Sequence, residues 1–190
     1  VSVLPGLAMA SRTVGSPQIR NRGTIGGNLG SSSPAGDALP PLYASDAVVH
    51  VASLGGVREI PIGEFIVGPK RNVLAEDELI VGLEIPPTLV GAGWSFVEFT
   101  RRHGDYAIGG TASTIALAGG RCSHARIALL GAGSTPVRSR AAEEALIGFP
   151  AEFGPRRLVE DAFTAAGIAS QTPYEVAADY SIAAGLVRHG

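Results

Sequence analysis

The chain has 190 residues, 45% of them apolar and 17% charged, enough core-forming material to exclude a charge-driven disordered chain and room for one domain or two small ones. Its 15 basic residues against 17 acidic ones leave a net charge of −2, and no block of one sign stands out, which argues against a nucleic-acid or anionic-membrane partner. Glycine is the outlier at 26 residues, roughly twice its usual ~7% share, so tight turns and close backbone approaches are expected.

Taken in chain order, Leu7 to Gly15 reads as the tail of a helix stopped at Gly15 and Pro17. From Gln18 to Pro40 the chain is rich in glycine and serine, too polar for core and too patterned for a flexible linker. Leu42 to Asp46 reads as a short helical turn. Ala47 to Ser53 is a β-branched strand ended by Leu54-Gly-Gly56, and Val57 to Ile60 is its hairpin partner. Residues 63–68 make a short amphipathic turn. Glu78 to Ile85 is apolar enough for a buried strand, stopped by Pro86-Pro87.

Thr88 to Gly93 is the best boundary between two subdomains. After it Trp94 to Phe99 alternates like a strand with one buried face. Ala107 to Leu117 and Ala125 to Leu130 read as further strands, with a turn at Gly119-Gly120. The last third is helical: Ser139 to Leu146 with Glu143-Glu144 in its first turns, then Leu158 to Ala169 and Glu175 to Val187. Strands first and helices late give an α+β class.

Chemistry-bearing side chains are sparse. Cys122 is the one cysteine, so no internal disulfide, CxxC or iron–sulfur ligand set is available, which suits a reducing compartment. No apolar run approaches the ~20 residues needed to cross a bilayer, and Val1 to Gly6 lacks the pattern of a signal peptide. A cytoplasmic setting is the default expectation. His103 beside Arg101 and Arg102 reads as a solvated charge, Cys122-Ser-His124 makes no dyad, and Glu143-Glu144 is a helix-start pair. No catalytic acid, base, nucleophile or metal cluster emerges.

The informative stretch is Arg20-Asn-Arg-Gly-Thr24-Ile-Gly-Gly-Asn28-Leu-Gly-Ser-Ser-Ser33-Pro-Ala-Gly-Asp37. Its glycines leave the backbone uncovered, so a ligand can meet bare N–H groups, with hydroxyls and the Asn28 amide around them. Such a nest with no lysine suits a diphosphate that is not being hydrolysed; a transferring phosphoryl group wants a cation. Asp37 would repel phosphates and should accept from sugar or ribityl hydroxyls instead. Diphosphate plus polyol describes a dinucleotide such as FAD. The same composition also describes an ordinary surface loop, and neither GxxxxGK[ST] nor GxGxxG is present.

Ile19 to Asn28 followed by Ser33 to Asp37 resembles the second FAD-binding loop of the medium, flavin-carrying subunit of molybdenum hydroxylases, the carbon monoxide dehydrogenase and xanthine dehydrogenase flavin-domain family. The likeness runs on through Gly68-Pro69, Leu74 to Ile80, Glu84-Ile-Pro86 and Arg101 to Ala107, and fades after Ser134 to Arg138. It implies the second half of a PCMH-type FAD-binding domain over residues 1–87 and a small C-terminal α+β domain over residues 94–190, an antiparallel sheet packed with helices. Thr24, Ile25, Gly26, Gly27 and Asn28 would hold the diphosphate and adjoining ribityl. Ser33 and Asp37 would bond FAD hydroxyls or phosphate, and Ile80 would pack near the flavin or adenine. Asp105 and Tyr106 would lie beside the isoalloxazine, Tyr106 covering one ring face by stacking. Read as residues alone, Tyr106 suits a core position equally well, and Ile80 a plain strand core.

The resemblance implies a flavin-dependent oxidoreductase subunit that takes electrons from a [2Fe–2S] small subunit beside a molybdopterin-binding large subunit and passes them to an external acceptor. With no His or Cys in the loop to tether it, FAD would be held without a covalent bond. The family's first glycine-rich FAD loop has no counterpart here, and Asp179 to Ala184 replaces a longer helical tail, so the chain resembles a fragment. Half a cleft that loses a few hydrogen bonds at ~1 kcal/mol each would lose several decades of affinity. The alternatives are a non-catalytic remnant or assembly module that binds partners but not FAD, and a flavoprotein oxidase without molybdenum partners.

Overall fold

A computed structural model describes residues 4–87, 92–102 and 104–147 of the chain. The helices expected after residue 157, the divergent end at Asp179 to Ala184, His103 and most of the expected boundary at Thr88 to Gly93 lie outside the described residues. The order is α1 (Pro5–Thr13), α2 (Pro17–Arg20), α3 (Ile25–Ser31), α4 (Leu39–Ala44), β1 (Val48–Ser53), β2 (Gly56–Pro61), α5 (Ile62–Phe65), β3 (Ile66–Gly68), β4 (Arg71–Asn72), β5 (Leu79–Glu84), β6 (Gly93–Phe99), β7 (Gly109–Ala118), β8 (Arg121–Leu130), β9 (Val137–Arg138) and α6 (Arg140–Leu146). The class is α+β, and all three sheets are antiparallel.

The first sheet has the order β2-β1-β5. Val49 and Val51 on its central strand are fully buried with Ile60 beside them. The Leu54–Gly55 turn joins Ser53 to Gly56, as the glycine pair predicts. The third sheet has the order β6-β7-β8-β9. Its long hairpin turns at Gly119 and Gly120, whose φ values of +56° and +71° are the left-handed pair a type I′ turn requires. Helix α4 packs against β7 and β8 of this third sheet, every residue of it buried. Phe65, Leu29, Leu39 and Leu42 join Val49 and Val51 at the centre of this core, each stabilising the fold by ~1.5–3 kcal/mol.

Several expectations are corrected. The strand at Leu79–Glu84 is an edge strand and is not buried: Leu79 and Val81 are 72% and 59% exposed. One face packs inward, and apolar composition on the other does not by itself bring a covering layer. Pro17 does not merely stop the first helix. It opens the second at its first position behind Ser16, whose hydroxyl accepts from the Ile19 N–H. The helical turn expected at Leu42 begins at Leu39, because Pro40 and Pro41 are tolerated in a first turn. β8 begins at Arg121, four residues before its apolar run, because the tight turn pairs Arg121 directly with Ala118.

Helix α1 lies against β6 through a close approach at Gly6, where an added Cβ would stand 2.5 Å from the Trp94 ring. Gly6→Ala should therefore destabilise by ~1–3 kcal/mol through overpacking, outweighing the gain in helix propensity. Urea unfolding followed by circular dichroism checks it; a variant as stable as wild type would refute the close contact.

A candidate dinucleotide site

The segment from Thr24 to Ser31, read from sequence as an uncovered loop, is the helix α3. Thr24 caps it: its Oγ1 accepts the Gly27 N–H at 2.9 Å, and its carbonyl accepts the Asn28 N–H at 3.0 Å. The run of bare amides expected between Thr24 and Asp37 is thus corrected. Helix geometry leaves the N–H groups of Ile25 and Gly26 without an intrahelical acceptor, while those that follow are committed. Three glycines, Gly26, Gly27 and Gly30, each weaken a helix by ~1 kcal/mol relative to alanine. The helix stands because Leu29 is fully buried in the core and because its far end is held from outside.

The capped end of α3 faces a hollow of about 400 Å³, bounded on the other side by Ser11 and Val14 at the end of α1 and by Arg20 and Arg22. Thr24, Ile25, Gly27 and Asn28 all line it. Arg20 is committed to the backbone, its Nη1 donating to Val14 O at 2.9 Å and Gly15 O at 2.8 Å. The Asn28 Oδ1 is buried without a hydrogen-bond partner, an unmet acceptor of the sort a bound polar group would satisfy.

Asp37 is 9% exposed and sits behind this hollow, not on its lining. Burial, followed by the neighbouring Glu98 charge, pushes its carboxyl up to about 6, against the lowering effect of the Thr13 hydroxyl, which donates to Oδ2 at 3.4 Å. Ser33 is half-buried in the loop after α3, its hydroxyl accepting from Ala35 N–H at 3.4 Å. Ile80 lies beneath the helix: Cβ atoms added at Gly26 and Gly30 would each meet it at 3.9 Å. It supports α3 and does not line the hollow.

Asp105 and Tyr106 line a second hollow with Arg101 and Ile108. Tyr106 is 80% exposed, so the core reading of this tyrosine is excluded. The two hollows are neighbours across one turn: a Cβ added at Gly104 would stand 3.4 Å from the Gly15 carbonyl oxygen, the same carbonyl that Arg20 holds. The structure thus gathers Thr24, Ile25, Gly27 and Asn28 at one hollow and Asp105 with Tyr106 at the next. Gly26, Ser33, Asp37 and Ile80 stand behind or below them.

Residues 1–88 match the model of the FAD binding domain in molybdopterin dehydrogenase, and residues 94–180 that of the CO dehydrogenase flavoprotein C-terminal domain. The chain belongs to the flavoprotein family of the molybdenum hydroxylases. It is 48% identical over 145 residues to the 6-hydroxypseudooxynicotine dehydrogenase complex subunit alpha of Paenarthrobacter nicotinovorans, a match covering 76% of this chain and 49% of that one. It is 34% identical to the carbon monoxide dehydrogenase medium chain of Hydrogenophaga pseudoflava, over 76% of this chain and 50% of the relative. A solved carbon monoxide dehydrogenase from Hydrogenophaga pseudoflava superposes with a TM-score of 0.75 at 37% identity, covering 77% of this chain and 51% of that one. Quinoline 2-oxidoreductase from Pseudomonas putida 86 gives 0.73 at 32%, over 78% and 52%. The chain spans about half the length of the curated relatives it matches.

For this flavoprotein chain, sequence reasoning missed Ser11, Val14, Arg20 and Arg22 as walls of the hollow. Arg20 and Arg22 stood inside the glycine-rich stretch and were open to notice; Ser11 and Val14 carried no signal, since a helix end two turns away enters the site only through folding. Among the described residues no group of three or more His, Cys, Asp or Glu is arranged to hold a metal, and no helix is long and apolar enough to cross a membrane.

Proposed function

We propose that this chain is the FAD-holding part of a molybdenum hydroxylase-type oxidoreductase, with residues 1–87 carrying the cofactor and residues 94–190 forming the accompanying C-terminal domain. Thr24, Ile25, Gly26, Gly27 and Asn28 hold the diphosphate and adjoining ribityl, Asp37 and Ser33 accept from or donate to FAD hydroxyls, and Asp105 and Tyr106 flank the isoalloxazine. Ile80 acts from below α3. The observation that carries this is the hollow walled by the capped start of α3, beside which the buried, unpartnered Oδ1 of Asn28 is an acceptor suited to a ribityl hydroxyl. Two free amides, a capping hydroxyl and an amide side chain make an uncharged donor set for a diphosphate.

When bound, FAD supplies the redox chemistry, taking electrons from a [2Fe–2S] small subunit beside a molybdopterin-binding large subunit and releasing them to an external acceptor. The protein's share is to hold and orient the flavin. The medium-chain and complex-subunit names of the relatives support an assembly of several subunits, and the buried, unbridged Cys122 suits a cytoplasmic setting.

The test is direct. The purified chain mixed with FAD should quench flavin fluorescence and elute yellow, and acid precipitation should release the flavin to the supernatant, because no His or Cys lines the loop to tether it. Flavin retained in the pellet would refute non-covalent binding. No retention at tens of micromolar would favour an assembly module that docks on partners without a cofactor.

A further inference from the structure

Helix α3 is closed at its far end by an unusual corner. Ser32, its C-cap, is fully buried and adopts a left-handed backbone with φ of +47°. Lys70, on the turn between β3 and β4, is left-handed as well, at +54°. Non-glycine residues adopt this region at a cost, and they persist where the surroundings over-determine them. Here the two corners hold each other. The Lys70 N–H donates to the Ser32 carbonyl at 2.9 Å. The Asn72 Nδ2 donates to both the Gly30 carbonyl and the Ser32 hydroxyl oxygen at 3.0 Å, and Asn72 Oδ1 accepts the Leu74 N–H at 3.1 Å.

Asn72 thus uses its donors on α3 and its acceptor on its own loop. None of these hydrogen bonds goes to a residue that lines the hollow. A helix with three glycines in seven residues has little stiffness of its own, so its pitch is set by what grips it: Leu29 in the core and this clasp at the C-terminal end.

We propose that Asn72 is a positioning residue for the FAD site, clasping the end of α3 so that Thr24 to Asn28 are presented to the diphosphate in one fixed orientation. This rests on the flavin assignment above. Preorganised donors bind better than donors that must be ordered on binding, so loosening the clasp lowers affinity without removing any FAD contact.

The variant is Asn72→Asp, which is nearly isosteric and keeps the acceptor for Leu74, loses both donations to α3 and sets a carboxylate oxygen against the Gly30 carbonyl, which opens the clasp further. In the full chain it is expected to raise the FAD Kd by about tenfold or more, to alter the visible circular dichroism of the flavin at saturating FAD, and to speed amide exchange across residues 25–31 in the cofactor-free protein. Ser32→Gly removes the cost of the left-handed corner, so the double variant N72D/S32G should recover much of the lost affinity and slow exchange again; a purely structural defect at β4 would not be rescued this way. Wild-type affinity and exchange in N72D would overturn the clasp while leaving flavin binding by the wild type intact. A wild-type chain that takes up no FAD would instead overturn the flavin assignment and, with it, the flavin role of Asn72, even where N72D still speeds exchange in α3.

Discussion

Replacing Arg138 with leucine is expected to destabilise the protein by about 3–5 kcal/mol, because it strands a buried carboxylate. Arg138 is the centre of a network that ties the end of α4 to the third sheet and α6. Its Nε and Nη2 donate to Glu143 at 2.7 and 2.9 Å, and its Nη1 donates to the Tyr43 carbonyl at 2.8 Å and to Asp46. Arg126 adds a second bond to Asp46 at 3.0 Å. Glu143 is 4% exposed and also accepts the Ile127 N–H at 2.8 Å. Burial alone would raise its carboxyl, but the Arg138 bonds and the Ile127 amide outweigh it and hold the group below the ordinary range.

The sign for pH follows. A carboxyl whose folded value lies below its unfolded one adds stability above the unfolded value and loses it as pH falls through the folded one. The wild type should therefore lose the Glu143 contribution on acidification below its ordinary titration range. The double replacement R138L/E143L should recover much of the loss, since an apolar pair of similar volume is often neutral where a broken ion pair is not. Urea unfolding at pH 7 for the wild type and both variants settles it; a loss below ~1 kcal/mol in R138L would show the network to be an exposed, weakly contributing one.

Asp37→Asn is expected to do two opposite things. In the cofactor-free protein it should stabilise the fold at pH 8, by up to about 3 kcal/mol, the equivalent of a carboxyl raised from 3.8 to about 6. The direction is the reverse of the Glu143 case. Between pH 4 and 6 the folded state binds the proton more tightly than the unfolded chain, so stability falls as pH rises through that window and stays low above it. The advantage of the amide variant over the wild type should accordingly shrink toward pH 4. On the proposed assignment of Asp37 to a flavin hydroxyl, the substitution should also weaken FAD binding by about tenfold, a charge-assisted bond giving way to a neutral one. A stability difference that does not vary with pH would refute the burial argument, and unchanged FAD affinity would remove Asp37 from the site.

The features legible in the chain alone were those decided by neighbours in sequence. The turns at Leu54–Gly55 and Gly119–Gly120 follow from glycines that supply the required backbone, and the strand runs follow from alternation and β-branching. The Thr24 to Asn28 stretch stood out as a candidate site because glycines, a hydroxyl and an amide occur together there, and Thr24, Ile25, Gly27 and Asn28 line one hollow. Less legible was the state of that stretch. Its glycine content argues for a loop, and it is helical only because Leu29 is buried and Asn72, 42 positions beyond Gly30, holds its end.

Placement relative to solvent was also beyond local pattern. Leu79 and Val81 are as apolar as core residues yet sit on an uncovered face, while Asp37, polar enough for a surface loop, is buried against Thr13 and near Glu98. Composition and spacing determined which donor groups and turns the chain carries, because donor types and turn geometry are local properties. Only the tertiary structure decided which of those groups face the hollow, which stand behind it and which carboxyls titrate above or below their ordinary range, because exposure and electrostatic surroundings are set by residues far away along the chain.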